Sequence, residues 1–162
     1  MSLLGIDVGT TGVKAVAFNL EGKILAEAYK EYFLIHIKPR WIELNPNEIW
    51  SAIKEVIKKV NLKTKSDPVE SISVSSMGET FTPFDSNGNF LYNSLTNVDT
   101  RAEYLIEWWR KKLGSFNVFK ITGQPLNAVL SLNKFVWFKK NKPDIYKKTW
   151  KLLCYEDFVF FK

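Results

Sequence analysis

The sequence predicts a mixed α/β fold whose sheet opens with an antiparallel three-strand meander and is flanked by helices. Three observations carry this expectation. The first 32 residues hold three apolar, β-rich runs separated by short turns. A helix with a complete start signal and one apolar stripe comes soon after. Beyond it, strand-like and helix-like patterns alternate to the C-terminus, without a repeat, a low-complexity segment or a linker.

Leu3 to Val8 is an apolar run with Asp7 as its only charge, which reads as a buried strand. Gly9-Thr10-Thr11-Gly12 turns the chain into a second β-rich run ending at Phe18, and Asn19-Leu20-Glu21-Gly22 turns it again into a strand over Lys23–Tyr32. Ile35–Leu44, with Pro39 and Trp41, reads as a loop; it holds the only histidine, His36, to which no role is assigned. Asn45-Pro46-Asn47-Glu48 supplies an N-cap, a proline at the first helical position and an early acid. Ile49, Trp50, Ile53, Val56, Ile57 and Val60 then share one helix face. Val69–Ser76 is the next strand, with Ile72 and Val74 expected inside. Phe81–Phe84 comes next as a strand, and Asp85-Ser86-Asn87-Gly88-Asn89 as a turn. Thr100 and Glu103 fit a capping box for a helix burying Ala102, Leu105, Ile106, Trp109 and Leu113. A helix over Ser131–Asn141 would bury Leu132, Phe135, Val136 and Phe138 and end before Pro143. Thr149–Tyr155 reads as a strand, with one more element beginning at the end of the chain.

Composition narrows the class. A 162-residue chain that is 46% hydrophobic and 25% charged is that of a globular protein. No run approaches the roughly 18 apolar residues of a membrane span, and no signal peptide is visible, so a cytoplasmic setting is expected. Cys154 is the lone cysteine, which excludes an internal disulfide and reads as a small core residue. The net charge of +6 is concentrated from Lys134 onward, where eight lysines face three acids. Lys139, Lys140, Lys142, Lys147 and Lys148 lack arginines or a base-reading motif beside them, so a solvated helix face is expected rather than a nucleic-acid partner.

Two groups of residues carry chemistry. A glycine-bracketed turn between strands can present backbone N–H groups and the Thr10 and Thr11 hydroxyls to an anion. A carboxylate beside it, Asp7, suits a hydrated divalent metal. The same residues also read as an ordinary turn capped by Asp7. No P-loop pattern occurs, and a strand rather than a helix succeeds the glycines, which excludes a dinucleotide fingerprint. The second group, Ser76-Met77-Gly78-Glu79, ends a strand, where ligand sites of α/β sheets lie. Glu79, with clearance from Gly78, can accept hydroxyls, or can be a solvated turn acid. Asp99 and Arg101 sit at a strand-to-helix junction, where Asp99 can also serve only the helix N-terminus and Arg101 only a surface pair.

Gly5-Ile6-Asp7-Val8-Gly9-Thr10-Thr11-Gly12-Val13-Lys14 resembles the first phosphate motif of the FGGY carbohydrate kinases. Ser75 to Glu79, Asp85 to Asn89, Asn97 to Ala102, Ile121-Thr122-Gly123-Gln124-Pro125 and Cys154 to Phe158 resemble later landmarks of that family in order and spacing. The resemblance spans the whole chain. It implies an RNase H-like ATPase domain of the actin, hexokinase and Hsp70 superfamily. It further implies that residues 1–162 are the N-terminal portion of the first kinase domain, without the second, adenosine-binding domain. The cofactors it implies are ATP and Mg²⁺, with Asp7 serving the metal and Gly9, Thr10, Thr11, Gly12 and Lys14 along the phosphates. Met77, Gly78, Glu79, Asp99 and Arg101 would face a sugar or polyol.

The implied reaction is in-line attack of a sugar hydroxyl on the γ-phosphoryl of ATP, with a xylulose-like pentulose favoured as substrate. Gly78 stands where glycerol kinases carry arginine, and Glu79 where xylulokinases carry histidine. Asn97-Val98-Asp99 is similar to autoinducer-2 kinases. The general-base aspartate of the family falls beyond this chain, so no catalytic residue is assigned within it, and a fragment inactive by itself is expected. A genuine short protein, a non-catalytic sugar- or nucleotide-binding module and an actin-like interaction module are the alternatives. A homodimeric parent is compatible with the resemblance, and a membrane partner is not expected.

Overall fold

A computed structural model describes residues 1–162. In chain order, strands β1 (Ser2–Val8), β2 (Gly12–Phe18), β3 (Ile24–Glu31), β4 (Ile35–Lys38) and β5 (Trp41–Leu44) precede helix α1 (Pro46–Lys63). Strands β6 (Val69–Ser76), β7 (Phe81–Phe84) and β8 (Ser94–Leu95) lead to helices α2 (Leu105–Leu113), α3 (Ser115–Thr122), α4 (Ser131–Asn141) and α5 (Pro143–Lys148). The short strand β9 (Lys151–Cys154) and helix α6 (Tyr155–Phe161) close the chain. Two compact units result, one made of Met1–Leu34, Leu44–Gly78 and Leu153–Lys162, the other of Ile35–Glu43 and Glu79–Leu152.

The first unit contains the expected meander. Its sheet runs β3-β2-β1-β6, antiparallel through β1 and β2 and parallel between β1 and β6. Register decides which residues reach the core: Leu4 faces Ala17, Ile6 faces Ala15 and Val8 faces Val13 across the β1–β2 pair, and all six are buried. Helix α1 packs on β2 and β3 with Ile49, Ala52, Ile53, Val56 and Val60 inward, while Trp50 and Ile57 are half-buried at the stripe's margin. Each fully buried aliphatic side chain there contributes about 1.5–3 kcal/mol. The Asn45 side chain caps α1 by accepting the Asn47 N–H at 3.0 Å. The alternate residues Leu3, Gly5 and Asp7 lie on the opposite face of the sheet. Ile72 is 46% exposed rather than buried, because it stands on the outermost strand of this sheet, and Val74 is half-buried.

The second unit is organised on the sheet β4-β5-β8-β7-β9. Here the structure corrects the loop expected over Ile35–Leu44, which is an antiparallel hairpin. Its turn is Pro39-Arg40, and Arg40 has φ 72°, a conformation that glycine or asparagine usually occupies. An arginine there hides the turn from a sequence reading. The capping box at Thr100 and Glu103 is absent: α2 starts at Leu105, and Glu103 instead pairs with Arg40 at 2.5 Å. Of the face expected for α2, Ala102 and Leu105 are buried, Ile106 and Trp109 are half-buried, and Leu113 is exposed. Helices α3 and α5 were not anticipated; Pro143, which stops α4, is also the first residue of α5. Helix α4 is rotated from expectation. Leu132 is exposed, Phe135 and Val136 are half-buried, and the buried residues are Asn133, Lys134, Trp137 and Phe138. The turn over Asp85–Asn89 holds as read, with Asp85 Oδ1 accepting the N–H groups of Asn87 and Asn89 at 2.9 and 2.8 Å. Those bonds, together with the Asn89 side-chain amide as the largest cause, hold the Asp85 carboxyl below its ordinary range. The five late lysines expected on a solvated face are exposed, except Lys142, which is half-buried. Cys154 is half-buried rather than a core residue.

Candidate functional site

In the first unit the β1–β2 turn is closed by the Gly9 N–H donating to the Gly12 carbonyl at 2.9 Å. Tyr32, just past β3, meets this turn from below. Its hydroxyl lies 2.5 Å from the Gly9 oxygen and 3.1 Å from the Gly12 oxygen, and its amide donates to the Thr11 oxygen at 3.2 Å. Burial, with Tyr155, Tyr29 and Asp7 adding to it, pushes the Tyr32 phenol well above its ordinary range, so it stays a donor. The amides of Thr10 and Thr11 donate to no group of the protein. A Cβ at Gly12 would fall 2.3 Å from the Tyr29 Oη, so a side chain there requires the half-exposed Tyr29 ring to swing aside.

Asp7 is exposed, and its carboxylate makes no hydrogen bond or ion pair with the protein. It borders a hollow of about 260 Å³ on the open face of the sheet, with Gly5, Lys14, Val16, Phe18, Ser73 and Ser75. Lys14 stands opposite Asp7 in the ladder, and its ammonium pairs with Glu27 at 2.8 Å. That contact holds the Glu27 carboxyl below its ordinary range. Met77 is buried and extends the β1–β6 ladder by donating to the Val8 oxygen at 2.9 Å, so its role here is in the strand pairing. Gly78 is exposed and a Cβ would meet nothing there, so no clearance depends on its being glycine.

In the second unit Glu79 adopts φ 58°, strained for a side-chain-bearing residue. Two contacts hold it. One carboxylate oxygen accepts the Ser131 N–H at the start of α4, and the buried Lys134 ammonium donates to the Glu79 carbonyl at 2.7 Å. Lys134 also donates to the Thr96 carbonyl at 2.6 Å, so one cation ties the Glu79 turn to the strand leading into Asn97–Asp99. Glu79 lies at the edge of a mostly apolar hollow of about 370 Å³ among α2, α3 and α4, lined by Trp109, Ile121, Leu126 and Leu130 among others.

Asp99 and Arg101, expected to face a sugar, are instead buried against each other. Asp99 accepts the Ile42 N–H at 2.7 Å, the Arg101 N–H at 3.1 Å, and the Arg101 Nε and Nη2 at 2.9 and 2.7 Å. Arg101 Nη2 also reaches Glu43 at 2.8 Å, and its guanidinium stacks 4.1 Å from Trp41 and 4.8 Å from Trp137. Burial opposes the Arg101 charge, but Asp99 and Glu43 more than offset it, so its pKa is raised further. This geometry makes the pair a clamp behind the Asn97 loop, with both Asp99 oxygens engaged. Sequence reading missed Tyr32, Glu43 and Lys134. A lysine among aromatics on a helix gives no local sign of burial, and neither Tyr32 nor Glu43 stands near the residues it serves in the chain.

The sheet order and the glycine hairpin beside a carboxylate define a mixed α/β domain of the actin-like ATPase type. The profile of the FGGY family of carbohydrate kinases, N-terminal domain, matches residues 2–162, and the chain belongs to that family. A gluconokinase of Bacillus licheniformis is 29% identical over 160 residues, 99% of this chain and 31% of the relative. A ligand-bound xylulose kinase from Lactobacillus acidophilus superposes with a TM-score of 0.83 at 27% identity, over 93% of this chain and 31% of that one. A Plasmodium falciparum glycerol kinase solved with ADP gives 0.81 at 27% identity, over 91% of this chain and 30% of that one. The chain thus spans about a third of the length of the relatives it matches. No helix is long and apolar enough to cross a membrane.

Proposed function

We propose that this chain is the phosphate- and sugar-contacting part of a cytoplasmic, ATP-dependent carbohydrate kinase that phosphorylates a ketose or polyol, with a xylulose-like pentulose as the favoured substrate. One observation carries the reading: an unpartnered carboxylate, Asp7, lies one turn from two amides, those of Thr10 and Thr11, that no protein acceptor satisfies. Amide and hydroxyl donors beside a hard oxygen ligand fit a hydrated Mg²⁺ and a phosphate chain. Bound there, the nucleotide would supply the γ-phosphoryl group and the Mg²⁺ would offset its charge. Asp7 would hold the metal through water, and Thr10, Thr11 and the Gly9 and Gly12 backbone would fix the phosphates. Lys14, whose pair with Glu27 is half-exposed and weak, would add positive charge beside them. Glu79 keeps one carboxylate oxygen uncommitted, which would accept hydroxyls of the sugar. Asp99 and Arg101 would act from behind, by fixing the loop beside it, and Met77 and Gly78 by setting where Glu79 begins. The general base and the adenosine pocket would come from chain beyond these residues, and the 162-residue chain would turn over nothing alone.

The test is sugar-dependent ADP release by the longer parent protein with xylulose, gluconate and glycerol as acceptors. Turnover should be best with the pentulose. Asp7→Ala should lower kcat/KM by about a hundredfold or more, because a metal's charge stabilisation amounts to several kcal/mol. Glu79→Ala should raise the sugar KM. Absence of sugar turnover, with sugar binding by the parent protein unchanged in Glu79→Ala, would favour an interaction module of actin type. Binding without turnover in calorimetry would favour a non-catalytic module.

A further inference from the structure

The open question at the hairpin is what aims its amides. A turn of four residues has as many carbonyls as amide groups, and a carbonyl facing a phosphate repels it. Three of the four carbonyls in Gly9–Gly12 are contacted by a single residue, Tyr32, and the Gly12 oxygen also closes the turn by accepting the Gly9 N–H. Tyr32 takes the Gly9 and Gly12 oxygens with its hydroxyl and the Thr11 oxygen with its backbone N–H. The hydroxyl has one proton, shared between two acceptors, with Gly9 at 2.5 Å the nearer. No peptide bond in the chain is cis. In a trans peptide the C=O and the following N–H point in opposite directions, so anchoring the Gly9 carbonyl on Tyr32 turns the Thr10 N–H away from Tyr32.

We infer that Tyr32 is a positioning residue of the phosphate hairpin: by holding the Gly9, Thr11 and Gly12 carbonyls, it fixes the Gly9–Thr10 and Thr11–Gly12 peptide planes and so aims the Thr10 amide at an anionic phosphate ligand. The inference rests on the phosphate-binding reading of this hairpin. Tyr32 itself touches no ligand. It is 2% exposed, so the hydroxyl position is set by its burial in the protein rather than by the ligand. The raised phenol pKa is consistent with this, since a tyrosinate could only repel the carbonyls it now binds. None of the glycine-threonine pattern encodes this support. It arrives from a residue 20 positions downstream of Gly12.

The experiment titrates the ¹⁵N-labelled 162-residue chain with inorganic tripolyphosphate in the presence of Mg²⁺ and monitors the amide resonances of Thr10 and Thr11. The unaltered chain should show saturable shifts at these two amides. In Tyr32→Phe the affinity should fall about five- to tenfold, the scale of one lost hydrogen bond, while the resonances of Leu4, Ile6 and Ile53 stay in place. Equal affinity in the two proteins overturns the role of Tyr32 and leaves the phosphate reading standing. Absence of any shift in the unaltered chain overturns the phosphate reading and the inference with it. If Tyr32→Phe does not fold, the unaltered chain still decides: the Tyr32 hydroxyl proton should exchange slowly and couple to the Gly9 carbonyl carbon, and a freely exchanging hydroxyl refutes the inference.

Discussion

Arg101→Met is the most informative perturbation of the second unit, because it replaces a cation by an apolar chain of similar reach. The guanidinium is surrounded by acceptors and rings: Asp99 at 2.7–2.9 Å, Glu43 at 2.8 Å, and the Trp41 and Trp137 rings at 4.1 and 4.8 Å. Asp99 and Glu43 are 0% and 2% exposed, so neither can turn to water when the cation goes. Removing one partner from a buried ion pair costs about 3–5 kcal/mol. The two ring contacts are desolvated and add about 1–2 kcal/mol. Asp99 keeps the Ile42 and residue-101 backbone N–H donors, which offsets part of this. The net loss is about 4 kcal/mol, a large share of the roughly 5–15 kcal/mol that holds a domain together. Urea unfolding monitored by tryptophan fluorescence reads it well, since five of the six tryptophans lie in the second unit. The cause is separable from lost packing by a double-mutant cycle. Glu43→Gln in the Arg101→Met background should recover part of the loss, with a coupling of about 1–3 kcal/mol. A loss below about 1 kcal/mol, or strictly additive effects, would refute the account of the cluster as a charge clamp.

Two further outcomes test the hairpin and its supports. Gly12→Ala should cost no more than about 1 kcal/mol, because the Tyr29 ring that its Cβ displaces is half-exposed and can swing into solvent, and that cost should vanish in a Tyr29→Ala background. The comparison of single and double variants by thermal unfolding checks it. Burial also raises the phenols of Tyr32 and Tyr92 in the folded chain. Below the unfolded value of 10.0 both phenols are protonated in the folded and the unfolded chain alike, and stability is unaffected. Above it the unfolded chain gives up protons that the folded chain keeps, so stability falls as pH rises, by about 1.4 kcal/mol per unit for Tyr32 and by less for the part-exposed Tyr92. Alkaline absorbance titration should show tyrosines that ionise only with unfolding, and Tyr32→Phe should remove one of them and flatten the slope.

Legibility in the sequence tracked the range of the interactions involved. The meander, α1 with its Asn45 cap and the Asp85 turn are decided by residues a few positions apart, and they stand as read. The hairpin at Pro39-Arg40 escaped because its turn uses an arginine in a conformation that the flanking strands enforce. The face of α4 was misread because hydrophobicity ranks Leu132 above Lys134, whereas the ammonium has two carbonyls to satisfy and Leu132 has nothing to cover it. Asp99 and Arg101 were legible as a pair and illegible as a clamp, since Glu43, Trp41 and Trp137 come from distant segments.

By itself the sequence settled that strands and helices alternate, where a carboxylate meets a glycine-threonine turn, and which family these patterns belong to. Those properties depend on local spacing, which a linear chain displays directly. Only the tertiary structure decided which polar groups are already spent. Asp7 and the Thr10 and Thr11 amides remain available, while Asp99 and Arg101 are taken by partners that folding brings to them. Hydrogen-bonding capacity is exhausted by whichever group arrives first in space, and distance along the chain does not say which that is.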